Sequence, residues 1–218
     1  MITESTAISP ALTSDETRAL LARTMGLVAA TAGAFTIGAY LGRNLDVQWG
    51  WLFFVGSIVT LLLLNAAVKR SEEAAVLLLL SFGALTGLAA APTFAYYLSA
   101  DRRAVWLASG ATALFVAGFG AAGFATRRDL SGLAQVLVWA LLALIAFGIV
   151  TIFVQIPNGA LIYATAGLVI FAGLVAFDFQ RLRRNEDIST APLLAASIFL
   201  DILNVFLLFL SLFGGGDE

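Results

Sequence analysis

Long uncharged stretches separated by tight bunches of charge dominate the chain. Runs without a charged residue cover Thr24–Gly42, Val47–Val68, Ala74–Ala100, Ala104–Thr126 and Leu130–Phe177. The first four each approach or exceed the ~20 residues a helix needs to cross about 30 Å of hydrocarbon. The fifth has 48 residues and is expected to fold into two spans. Its break is predicted at Gln155-Ile156-Pro157-Asn158, because proline forbids a continued helix and the flanking amides prefer water. A further run, Ala191–Phe213, brings the predicted spans to seven. A transmembrane β-barrel is excluded, since barrel strands alternate apolar and polar positions, whereas Leu61–Leu64 and Leu77–Leu80 are unbroken apolar blocks.

The expected fold is therefore an all-α, polytopic, seven-transmembrane-helix bundle over residues 20–213. A polar segment, residues 1–19, precedes it and a short polar tail, residues 214–218, follows. Met1–Thr17 is polar and acidic, without the basic region and short apolar core of a signal peptide. Thr13 and Glu16 fit a capping box, which predicts a helix starting near Ser14 and running into the first span.

Composition agrees with this pattern. Of 218 residues, 61% are hydrophobic and the mean hydropathy is +0.96, far above a soluble domain, where roughly half the residues are apolar. Cysteine and histidine are both absent. Their absence excludes disulfides, thiolate metal sites, cysteine nucleophiles, serine–histidine triads, histidine-rich zinc sites and haem ligation by histidine.

The charge bunches predict orientation, because cytoplasmic loops concentrate Lys and Arg. With seven spans, one side carries Arg18, Arg23, Lys69, Arg70, Arg127, Arg128, Arg181, Arg183 and Arg184, nine of the twelve basic residues. The other side carries Arg43, Arg102 and Arg103. The N-terminus is accordingly expected in the cytoplasm and the C-terminus outside, in a multi-pass integral membrane protein.

Two acids break the apolar pattern. Asp178 ends the run Gly159–Phe177, and Asp201 interrupts the last one. An ionisable group inside a span is costly to insert and is expected to line a polar interior, share a proton or hold a cation. Asp178 lies about one turn from the cytoplasmic boundary, and Asp201 about 15 Å along the seventh span at 1.5 Å per residue. The short loop Arg181–Thr190 makes spans six and seven expected antiparallel neighbours, on which the two carboxylates could face each other. Carboxylates in contact share a proton and titrate as a coupled pair. Once deprotonated they recruit a hard, oxygen-preferring cation such as Ca²⁺. Two such ligands are too few for a tight cage, so binding would be weak and transient, as conduction requires. The alternative for Asp178 is a side chain snorkelling to the interface beside Arg181; for Asp201 it is a helix–helix hydrogen bond, with Asn204 one turn along as a supporting residue.

Weaker signals read as packing. Gly118–Gly123 fits G-x-G-x-x-G but lies inside a span, where small residues permit close helix contact. Asn65, Gln135 and Asn204 are expected to hydrogen-bond between helices. Trp49, Trp51 and Trp106 read as interfacial anchors, and Arg102-Arg103 and Arg127-Arg128 as boundary charges.

The segments Phe177-Asp178-Phe179-Gln180 and Phe199-Leu200-Asp201-Ile202-Leu203-Asn204-Val205-Phe206 resemble the Bax inhibitor-1 family of seven-span membrane proteins. Thr24-Met25-Gly26-Leu27, Gly87 and Pro92 add to the likeness, which extends from about Leu20 to Phe213. The resemblance, to bacterial members of the family, implies a pH-sensitive calcium leak in the bacterial plasma (inner) membrane, not an enzyme. In it, Asp178 and Asp201 form the proton-sensing, ion-path and metal-contacting pair. It also implies that a basic residue at the end of span two latches onto Asp178. Alignment through Gly87 and Pro92 puts Lys69 there, where a bacterial relative has arginine. Lysine lacks arginine's bidentate fork, so its latch is expected to be looser; Arg70 next door, about 100° around the helix, could substitute as the latch.

The implied partners are the lipid bilayer, Ca²⁺ and protons, with no tightly bound cofactor and no nucleic acid. Two other functions fit parts of this pattern. A membrane-embedded regulator acting on other membrane proteins is implied by the family's links to cell-death control and membrane proteolysis. An intramembrane aspartyl protease would also use two aspartates, but the YD and GxGD surroundings of such proteases are absent.

Overall fold

The charge bunches become the helix ends. In the computed structural model, which describes residues 14–184 and 188–214, the helices are α1 (Ser14–Leu41), α2 (Val47–Ala67), α3 (Glu72–Ala100), α4 (Arg102–Ala125), α5 (Ser131–Phe153), α6 (Gly159–Arg184) and α7 (Ala191–Gly214). All seven are long and apolar enough to cross a membrane, and no strand occurs among the described residues. The expected helix start at Ser14 is present, while its capping partner Thr13 lies outside the described residues, as do most of the polar segment 1–19 and residues 215–218 of the tail.

Local chemistry sets several boundaries. Ser71 and Asp101 cap α3 and α4 by accepting hydrogen bonds from the amides of Ala74 (3.3 Å) and Ala104 (3.0 Å). The long fifth run breaks where expected: α5 ends at Phe153, α6 begins at Gly159, and Asn158 between them takes a left-handed φ of 56°. Asparagine tolerates that region better than most residues with a side chain.

Packing centres on α7. It lies against α1, α4 and α6, and its buried positions include Leu194, Ala195, Ile198, Phe199, Val205 and Leu210. By contrast α2 packs chiefly on α3, and α5 on α6. These two outer helices expose Leu52, Phe54 and Leu62, and Trp139, Ile149 and Ile152, respectively. Such a surface suits hydrocarbon rather than water. Trp49, Trp51 and Trp106 are also exposed, near helix ends, where amphipathic rings anchor at the interface.

Glycine permits two close crossings. Between α1 and α3, a Cβ on Gly38 would overlap the Ala84 carbonyl, and one on Gly87 would overlap that of Phe35. Between α4 and α6, a Cβ on Gly123 would overlap the Ala176 carbonyl. Of the Gly118–Gly123 segment, Gly120 and Gly123 thus form the packing surface expected inside a span, against Phe179 and Ala176, whereas Gly118 is exposed and meets no neighbour.

One expectation is corrected here. Asn65 and Gln135 do not bridge helices; both are exposed and make no side-chain hydrogen bond among the described residues. Each lies within a turn or so of a helix end, at Ala67 and Ser131, where interfacial water can satisfy an amide.

Gly123→Ala is expected to destabilise the detergent-solubilised protein by about 1–3 kcal/mol, because α4 and α6 must separate. Gly118→Ala, whose Cβ would meet nothing within 4 Å, should be neutral or stabilising by up to about 1 kcal/mol. Thermal melting of the two variants checks this contrast.

Candidate functional site

The site lies at the end of the bundle that gathers the starts of α1, α3, α5 and α7 and the ends of α2, α4 and α6, called here the basic end. Helix α6 continues six residues past Asp178 to Arg184, so the aspartate sits inside the helix rather than at its frayed end. It therefore does not snorkel: Asp178 is 5% exposed and Asp201 7%. Both point into the interface that α6 makes with α7.

Asp178 is hydrogen-bonded with the Ser197 hydroxyl and lies in the field of Arg181, one turn further along α6. Asp201 lies in the field of Asp178. One oxygen of each acid, Oδ2, is enclosed with no hydrogen-bond partner. A buried carboxylate oxygen without a donor is expensive, so this arrangement suits a shared proton or a cation. Among the described residues no cluster of three acidic side chains forms, so the pair stands without a third carboxylate.

Apolar walls enclose the pair. Leu182 and Val175 of α6 and Ile198 of α7 are buried. Phe199, two residues before Asp201, packs on Phe35 and Phe82 with ring centroids 5.8 and 5.9 Å apart. Past Phe199, away from the basic end, a cavity of about 410 Å³ opens beside α1, α3, α4 and α7. Thr36, Ser109 and Thr112 line it, and the buried Thr112 hydroxyl has no hydrogen-bond partner.

The other expected residues are placed apart. Asn204 donates to the Leu200 carbonyl of its own helix at 2.8 Å, so its amide neither bridges helices nor reaches the acids. Lys69 and Arg70 are exposed in the turn after α2 and form no ion pair among the described residues. The physical reason is packing: α2 lies on α3, whereas α6 lies on α4, α5 and α7. The cation in the field of Asp178 is Arg181 instead.

Two residues that sequence reasoning left without a role belong to the site. Ser197 precedes Asp201 by four residues, hence one turn on the same face of α7. Gln180 is 2% exposed and clamps the α4–α5 loop. Its amide donates to the Arg128 carbonyl at 2.6 Å and its Oε1 accepts from the Leu130 amide at 2.9 Å. Arg183 and Arg184 extend the clamp to the carbonyls of Thr126 (2.5 Å) and Arg127 (3.1 Å). The only signal for Gln180 was its place in the quoted segment Phe177–Gln180.

Comparison with known proteins agrees with this architecture. A family model described as inhibitor of apoptosis-promoting Bax1 matches residues 17–218. An uncharacterized protein of Deinococcus radiodurans is 31% identical over 222 residues, covering 94% of each chain. The inner membrane protein YbhL of Escherichia coli is 29% identical over 184 residues, covering 75% of each chain. An uncharacterized protein of Helicobacter pylori is 29% identical over 184 residues, covering 82% of this chain and 79% of its own. With a match of nearly full length and seven apolar helices around a buried acid pair, the chain is a multi-pass integral membrane protein that belongs to the Bax inhibitor-1 family.

Proposed function

We propose that the protein is a passive, proton-gated leak for Ca²⁺ rather than an enzyme, with Asp178 and Asp201 as sensor and ion contact. The observation that carries this reading is the burial of two acids on facing helices, each with an enclosed oxygen that has no donor. A shared proton satisfies both groups and holds α6 against α7. Loss of that proton leaves two anions that repel each other, loosening the interface, and attract a hard cation. Two carboxylates bind Ca²⁺ weakly enough to release it, which conduction needs. Thr36, Ser109 and Thr112 support the reading, since they supply hydroxyl oxygens in the otherwise apolar cavity on the far side of the aromatic wall.

In this reading the basic end faces the cytoplasm, as the excess of Arg and Lys there supports, and the membrane is the bacterial inner membrane, as for YbhL. Closure would bring the end of α2 toward α6, so that Lys69 or Arg70 reaches Asp178 in a second conformation. Protonation favours the closed interface, so flux rises as pH rises through the titration of the pair.

Calcium flux into proteoliposomes, followed at several pH values, is expected to increase with pH for the natural sequence. Asp201→Asn should lower flux about tenfold or more and flatten its pH dependence; unchanged flux and pH profile would refute the mechanism. Ser197→Ala removes the donor to Asp178 and should displace the pH profile. Asn204→Ala, on a residue bonded only to its own helix, should leave the profile in place.

A further inference from the structure

A second polar site lies at the basic end, in the groove between the start of α5 and the end of α6. A cavity of about 310 Å³ is lined there by Ser131, Phe177, Gln180, Arg181 and Arg184. Three features of this cavity converge on an anion.

The first is Arg184, whose position is fixed. It pairs with Asp129 at 3.2 Å and donates to the Arg127 carbonyl. Hydrogen bonds from the Ser131 amide and hydroxyl, then the Arg184 charge, hold the Asp129 carboxyl below its ordinary range, so the anchor stays ionised near neutral pH. The second is Arg181, which is exposed and forms no ion pair among the described residues. Asp129 therefore compensates one of the two guanidinium groups; Arg181 lies in the field of the buried Asp178 but forms no ion pair with it, so its donors stay open to the cavity. The third is the N-terminus of α5, a helix of 23 residues. Its N-cap residue Leu130 makes no side-chain cap; Asp129 Oδ1 accepts from the Ser131 amide and the Leu130 carbonyl from that of Ala134, which leaves the Gly132 and Leu133 amides without an acceptor among the described residues. Such an end carries partial positive charge and binds phosphate readily.

The surroundings choose the kind of anion. The groove lies where the apolar spans meet the bunched arginines, and its wall on the span side is Phe177. Because α5 packs chiefly on α6, the groove sits at the periphery of the bundle, beside the lipid-facing surface of α5. A headgroup phosphate at Arg181 would leave its acyl chains along Phe177 and the exposed Leu133.

We propose that this cavity binds the phosphate of an anionic phospholipid, with Arg181 as its main cation and the Gly132 and Leu133 amides at the start of α5 as its second set of donors. Arg184, positioned by Asp129, orients the site. This assignment stands independently of whether the acid pair gates an ion.

The full chain, purified in neutral detergent, would be titrated with dioleoylphosphatidylglycerol and dioleoylphosphatidylcholine, and bound lipid counted by native mass spectrometry. The natural sequence should retain one phosphatidylglycerol with about tenfold preference, as a charged hydrogen bond to phosphate supplies. Arg181→Gln should lose that preference with its melting temperature unchanged, whereas Lys69→Gln, elsewhere on the basic end, should keep it. A preference that survives Arg181→Gln, or falls equally in Lys69→Gln, overturns the proposal. Displacement of the lipid by millimolar glycerol phosphate would also overturn it, by showing a site for free phosphate. If the glutamine variant does not fold, Arg181→Lys decides. Weakened preference supports the site, since lysine keeps the charge without the fork; preference equal to that of the natural sequence refutes it.

Discussion

Two carboxyl groups taken out of water on facing helices form the constraint around which the bundle is arranged. Neither acid could sit on α2 or α5, whose surfaces face hydrocarbon. Enclosure requires a central helix, and α7 supplies it, with α1, α4 and α6 around it. The glycine crossings at Gly87 and Gly123 let the surrounding helices close tightly. Phe199, Phe35 and Phe82 then separate the acids from the cavity beyond. A packed interior transmits small changes because it has little slack. In the proposed reading, a change of one proton between α6 and α7 therefore acts directly on the seat of the most buried helix.

Helix α6 unites the features at the basic end. Within seven residues it presents Asp178 to α7, Gln180 to the α4–α5 loop, Arg181 to the peripheral groove, and Arg183 and Arg184 to loop carbonyls. Successive residues turn about 100° around a helix, so one short segment addresses every neighbour. The α4–α5 loop follows α6 through Gln180, and any displacement of α6 against α7 would carry that loop with it.

Most of the architecture was legible in the sequence because bilayer physics writes it in one dimension. Charge bunches mark the ends of the spans, and Pro157 divides the fifth run. The short connection after Arg184 makes α6 and α7 neighbours, which brings Asp178 and Asp201 together. What escaped depends on the third dimension. Gln180 meets Arg128 and Leu130 across about fifty residues of sequence, and its amide looks like any polar residue near a boundary. Ser197 is an unremarkable hydroxyl until Asp178 lies opposite it. The remaining mismatches share a cause: local or interfacial satisfaction of polar groups competes with long-range partnership. Asn204 bonds to its own helix, Asn65 and Gln135 remain exposed near helix ends, and Lys69 stays in the turn that the packing of α2 on α3 dictates.

The central position of α7 also bears on how the molecule is made. Helices enter the membrane in chain order, so the helix that fills the space between α1, α4 and α6 arrives after the other six. Until then the inward faces of α1, α4 and α6 have no partner, and Asp178 has neither Ser197 nor Asp201 beside it. The six earlier helices must hold an open seam in the bilayer, with a carboxyl group at its edge, long enough for a span carrying its own acid to slide in. The α1–α3 and α4–α6 glycine contacts can form before that step. They divide the nascent bundle into two halves, and the last helix joins them.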